Sequence, residues 1–330
     1  MISNVVGLQP ESTTPSVERS DGDAAGLPSL RQILLCTDFS LASETATTVA
    51  IDLAKRAGAT MCVLHICEYG LYSPPTEVEA AYVAESMVRE ERNLSNVVER
   101  IGGEGINVNS VTETGHPPVS IVEFIASHRP DLAIVGTNGL SGLDRMIFGS
   151  TAEAVFRHAS CPVLIVGPRV SAERENRSGP VVYATDFHEP ARQAAEYAAA
   201  LAYAQSLALH CVHVLPYMVE DGGDQGVVAT IMKEALRQVA KKARVSDNEV
   251  SYNILYDSEV SHGVVDYAKA HNAAFIVLGV RHGLALSSHL PPHLTYRMIA
   301  TASCPVLTVS PVAARQASGR SEAAVSNTKT

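Results

Sequence analysis

Leu132-Ala-Ile-Val-Gly-Thr-Asn-Gly139 and Phe275-Ile-Val-Leu-Gly-Val-Arg-His282 are two copies of one pattern. In each, a short continuous apolar run ends in glycine and opens into a loop. Such a run reads as a strand buried on both faces. The correspondence extends outward in both directions. HASCPVLIVG at 158–167 answers TASCPVLTVS at 301–310, and LLCTDFS at 34–40 answers VYATDFH at 182–188. Gly136 and Gly279 lie 143 residues apart, as do Cys161 and Cys304, whereas Asp38 and Asp186 lie 148 apart. Two anchors in one register and a shared Thr-Asp-Phe mark an internal duplication.

Each copy alternates apolar runs with helical patterns. In the first, strands are expected at 32–37, 60–67, 106–112, 132–135 and 162–166. Helices are expected at 42–56, 76–101, 118–127 and 150–158. On the long second helix, Ala80, Val83, Met87 and Leu94 form the apolar stripe, and the charged run Arg89–Arg92 reads as a solvated face. The alternation, with strands apolar throughout, predicts an α/β fold. The expected architecture is two tandem Rossmann-like domains, each a five-stranded parallel sheet with helices on both faces. Residues 31–168 and 180–312 form the domains and 169–179 a polar linker. Residues 1–30 and 313–330 read as a disordered leader and tail.

Composition narrows the function. The net charge is −10 over 330 residues, and aromatic residues make up 5% with no Trp. A broad electrostatic footprint for nucleic acid is not expected. No apolar run reaches a membrane-spanning length. The N-terminus carries no signal-peptide pattern, so a soluble cytoplasmic protein is expected. The six cysteines form no CxxC pair and lie in or beside apolar runs. They read as buried thiols. A redox or metal role for Cys62 and Cys67 is the alternative.

The segment Gly136–Ser150 leaves the carboxyl end of a buried strand and ends where a helix begins. Glycine lets backbone approach a ligand closely. The first N–H groups of that helix, near Ser150 and Thr151, favour an anion. The segment therefore reads as a phosphate cradle without the GK[ST] ending of the common P-loop. An ordinary glycine-rich turn before a Ser-capped helix is the plainer reading. Asp38 also follows a strand at its carboxyl end, where open α/β sheets bind ligands if strand order reverses there. Asp38 could equally cap the helix that follows it.

Gly136-x2-Gly139-x9-Gly149-Ser150, with CTDFS near the start and RHASCPVLIV at the end, resembles the universal stress protein family. The resemblance covers both repeats, roughly residues 31–310. It implies ATP as the bound nucleotide, with a magnesium or manganese ion accompanying the phosphates. By position it assigns adenine contacts to Asp38 and Ile66, and ribose and phosphate contacts to Gly136, Gly139, Gly149 and Ser150. Thr37 and Thr151 are their neighbours. It also implies the first strand beside the fourth. Dimerisation through the last strand is implied as well, here as an internal pseudo-dimer of the two repeats that could pair again into a homodimer.

The second copy departs from this signature. At an offset of 143, Gly139 becomes His282, Gly149 becomes Pro292 and Ser150 becomes His293; Ser40 becomes His188. A histidine side chain would occupy phosphate space, and proline has no N–H to donate. The second domain is therefore expected to be a structural or regulatory partner. His282, His289 and His293 read as a loop cluster; metal binding there would need His289 and His293 on one helix face. His65 and His213 occupy matching strand positions and read as packing residues. His116 falls near the site mouth. Asp144 and Arg145 read as solvated loop charges.

Three functions fit these residues. One is a nucleotide-binding module of the stress response, with one competent site. Another is a slow ATPase or other nucleotide-dependent enzyme. The last is an interaction protein whose glycine loop is only structural. No catalytic residue and no metal-ligand set is assigned from the sequence.

Overall fold

A computed structural model describes residues 27–28, 30–68, 77–137, 149–173, 177–215, 225–242, 250–280 and 292–310. The first domain runs β1 (Gln32–Cys36), α1 (Leu41–Ala57), β2 (Thr60–Cys67), α2 (Glu77–Gly103), β3 (Val108–Thr114), α3 (Pro117–His128), β4 (Leu132–Gly136), α4 (Ser150–His158) and β5 (Val163–Val166). The second repeats this order. It comprises β6 (Val181–Ala184), α5 (Glu189–Gln205), β7 (Leu209–Leu215), α6 (Gln225–Lys242), β8 (Val250–Tyr256), α7 (Val260–Ala270), β9 (Phe275–Gly279), α8 (Pro292–Thr301) and β10 (Val306–Val309). The expected leader falls almost wholly outside the described residues, as does the expected tail.

The strands form one sheet in the order β3-β2-β1-β4-β5-β10-β9-β6-β7-β8. Within each domain all neighbours are parallel. The seam between domains is antiparallel, with Val306 opposite Ile165, Leu307 opposite Leu164 and Thr308 opposite Val163. Thr308 Oγ1 also donates to the Val163 carbonyl at 3.2 Å. Pairing gives each of these two apolar strands a second neighbour, so neither is left as an edge.

Two apolar layers cover the sheet, and both cross the seam. One joins Ile33, Leu35, Leu53 and Leu164 to Tyr183, Leu201 and Leu307. The other joins Leu34, Ile125, Val155 and Ile165 to Val212, Val264, Ile276 and Ile299. Polar links tie the same surfaces. Gln205 Nε2 donates to the Leu53 carbonyl at 3.1 Å, and Arg56 Nη1 to the Gln205 carbonyl at 2.7 Å.

Helix ends follow local chemistry. Ser40 caps α1, accepting from the Ser43 N–H, and Gly58 ends it in the left-handed region at φ 60°. On α2 the expected stripe is displaced. Met87 is exposed, and the buried line runs Ser86, Leu94, Val97 and Ile101, with Glu90 half-buried on the same line. No helix among the described residues is long and apolar enough to cross a membrane.

Candidate functional site

β1 lies between β2 and β4. The segment after β1 and the segment after β4 therefore leave neighbouring carboxyl ends, which is where the strand order reverses. Thr37, Asp38 and Phe39 make the first turn. Buried Thr37 donates its N–H to the Leu64 carbonyl, and its Oγ1 accepts from the Phe39 N–H at 3.1 Å. Asp38 is exposed. Its Oδ1 accepts from the Ser40 N–H at 3.0 Å and the Ser40 hydroxyl at 2.6 Å. Phe39 is held at φ 60°, a costly conformation for an aromatic residue, and its ring lies 4.5 Å from that of His65.

The glycines divide by role. A Cβ on Gly136 would lie 2.6 Å from the carbonyl carbon and oxygen of Ala42, in the first turn of α1. This glycine is thus demanded by the approach of β4 to α1. Gly149 is the N-cap of α4, and no side chain caps that end. Ser150 is the first residue of the helix and not its cap, contrary to the plainer sequence reading. Ser150 is exposed and Thr151 half-buried. The first-turn N–H groups of α4 have no partner within the helix itself. Ile66 is buried on the α3 side of β2, with Cys36, Leu64 and Ile121. Gly139, Asp144 and Arg145 lie outside the described residues.

The second domain repeats the turn but alters its edge. Thr185 Oγ1 accepts from Phe187 at 3.0 Å, and Phe187 sits at φ 64° with its ring 4.6 Å from His213. Asp186 Oδ1 accepts from the His188 N–H at 3.0 Å. The Thr-Asp-Phe identity of the copies is therefore a shared turn. His188 replaces Ser40 as the helix cap and makes no side-chain cap bond. α8 starts at Pro292, whose ring nitrogen has no hydrogen to offer. His282 and His289 lie outside the described residues, as does the His293 side chain.

A model of the Universal stress protein family matches residues 29–167 and 178–310. The chain belongs to the universal stress protein family. A relative from Staphylococcus haemolyticus is 35% identical over 138 residues, 41% of this chain and 84% of the relative. A universal stress protein of Methanocaldococcus jannaschii is 31% identical over 138 residues, again 41% of this chain and 81% of that protein. The solved structure of a universal stress protein from Archaeoglobus fulgidus superposes with a TM-score of 0.65 at 22% identity. It covers 84% of this chain and 98% of that one, a likeness of fold.

In this universal stress protein the sequence reading names His65 and Cys67 but not Glu90, which the fold brings to them. His65, at the end of β2, directs Nδ1 to the Thr37 carbonyl at 2.9 Å and Nε2 to Glu90 Oε2 at 3.2 Å. Cys67 Sγ lies 3.2 Å from the same carboxylate oxygen. Glu90 belongs to the run expected to be solvated, yet it faces the sheet. Burial and then the Glu90 carboxylate push the Cys67 thiol up to about 11. Near neutral pH it is a thiol, which argues against a nucleophilic redox role. Cys36, Cys161, Cys211 and Cys304 are buried, as the sequence suggested. Burial pushes Cys211 and Cys304 up to about 12.

Proposed function

We propose that the first domain binds an adenine nucleotide, ATP, and that the second serves as its structural or regulatory partner in a stress response. One observation carries the reading. The N-terminus of α4 has no side-chain cap and stands at the end of the glycine segment, on the same carboxyl edge of the sheet as exposed Asp38. Such an end offers backbone donors and a favourable dipole to phosphate. The Ser150 hydroxyl adds a donor there. Asp38, whose described hydrogen bonds fall on Oδ1, has Oδ2 to accept from a base or ribose. A magnesium or manganese ion would travel with the phosphates. The second domain keeps the turn but has Pro292 at the corresponding helix start.

Calorimetric titration of ATP with magnesium into the full chain tests this, beside a Gly149→Pro, Ser150→His double variant. The expected result is one site per chain, absent in the variant. Two sites would give the second domain a nucleotide role. No heat in the unaltered chain would leave the loop a structural element and favour an interaction protein. Phosphate release in the same samples reads any slow hydrolysis, and light scattering reads pairing into a homodimer.

A further inference from the structure

A ring nitrogen of His65, Cys67 Sγ and a Glu90 carboxylate oxygen all lie within 4.8 Å of one another. Thr37 fixes the role of the histidine. A backbone carbonyl only accepts, so the ring proton sits on Nδ1. Nε2 then faces Glu90 Oε2. Either a proton or a metal ion can join these two atoms, 3.2 Å apart. A thiol on the same oxygen supplies a third donor atom.

We propose that His65 Nε2, Cys67 Sγ and Glu90 form a binding site for a divalent transition metal of the zinc class. Four observations support it. Nitrogen, sulfur and carboxylate oxygen together suit zinc or cobalt, whereas magnesium takes oxygen. Tetrahedral coordination at zinc bond lengths separates such donors by about 3.4–3.6 Å, and the two short separations here are 3.2 Å. The hydrogen bond from Nδ1 to a carbonyl is the outer support that metal-bound histidines commonly have. The Glu90 side chain keeps 26% of its surface exposed, which gives an ion a way in. Three protein ligands leave a fourth position for water or a substrate atom.

The second domain is an internal contrast. His213 makes the corresponding bond to the Thr185 carbonyl, at 2.8 Å, under Phe187, the counterpart of Phe39. There the position matching Cys67 is Leu215. The histidine–carbonyl pair therefore belongs to the fold, and Cys67 is what the first domain adds. On binding, the ion forms a bond to sulfur and the thiol proton leaves to solvent. The site is distinct from the phosphate-associated ion. It is linked to the nucleotide edge through Thr37 and Phe39, which both contact His65.

The test uses the full chain, reduced and stripped of metal with a chelator, then titrated with Co2+ and competed with Zn2+. The expected result is one Co2+ per chain with sulfur-to-cobalt charge-transfer absorption, displaced by equimolar Zn2+ and untouched by excess Mg2+. Cys67→Ser abolishes that absorption, Cys62→Ser preserves it, and Glu90→Gln weakens Zn2+ binding at least about tenfold. No charge-transfer band in the unaltered chain, or a band that survives Cys67→Ser, overturns the proposal. X-ray absorption of the unaltered zinc-loaded chain decides without any variant, since a zinc shell lacking one sulfur also overturns it.

Discussion

The Tyr296 hydroxyl on α8 donates to Glu153 Oε1 on α4 at 3.0 Å, across the boundary between the domains. Arg157 completes the group, with Nε 2.9 Å from Glu153 Oε1 and 3.0 Å from the tyrosine oxygen. The helix whose first turn would hold phosphate is thus gripped by the second domain. Tyr296→Phe keeps the ring against Phe156 and removes only the hydroxyl. We expect about 1 kcal/mol of destabilisation in denaturant unfolding. A double-mutant cycle with Glu153→Gln should give a non-zero coupling, and strict additivity would mean that the contact carries no energy.

Gly136→Ala tests the packing role assigned to that glycine. The new Cβ meets main chain at 2.6 Å, so β4 or α1 must move. A cost of about 1–3 kcal/mol is expected, or several degrees of melting temperature. Gly103, with nothing within 4 Å of a built Cβ, is the control, and Gly103→Ala should leave the melting temperature nearly unchanged.

His210 makes the second domain acid-sensitive. Burial, and then His271 with its ring centre 5.4 Å away, lower its value to about 4. Its Nδ1 lies 3.0 Å from the Tyr267 hydroxyl. An unfolded histidine titrates near 6.5, so the unfolded chain takes up the proton first as pH falls. The stabilising effect is complete above about pH 6.5 and is lost as pH falls toward 4. Its full size is on the order of 3 kcal/mol. In melting curves from pH 7.5 to 4.5, His210→Gln should lose less stability than the unaltered chain. Parallel curves would contradict this.

His262 carries the opposite sign. The hydrogen bond that its Nδ1 donates to Asp257 Oδ2 at 2.7 Å, and then the charge of Asp266, raise its value. Its contribution is fully present below the unfolded value and disappears as pH rises through the folded one. His262→Ala should therefore lower the melting temperature at pH 5.5 and have little effect at pH 8.5. The side chain is exposed, so salt should shrink the gap at pH 5.5.

The duplication and the strand sequence are written in apolar runs, because parallel strands covered on both faces admit little else; the neighbouring of β1 and β4 is implied by the family resemblance, and the pairing of Ile33 with Leu132 shows it. Boundaries moved by a residue or two. Pro162, for instance, lies outside β5 but still accepts the Ala133 N–H. The packing role of Gly136 is not legible in the loop motif, which does not show which neighbour a missing Cβ would strike. Glu90 was read as solvated because charge outweighed position. It stands four residues before Leu94 and three after Met87, on the stripe itself, and a carboxylate there is the available signal of an inward partner. What helical spacing does not give is the strand opposite, so its meeting with His65 and Cys67 waited for the tertiary fold.

The antiparallel seam between β5 and β10 has a geometric consequence for traffic around the molecule. Strands point one way in the first domain and the other way in the second, so the two carboxyl edges face opposite directions. A small molecule entering between β1 and β4 and a partner at the carboxyl ends of β6 and β9 would approach from opposite ends. Neither need displace the other.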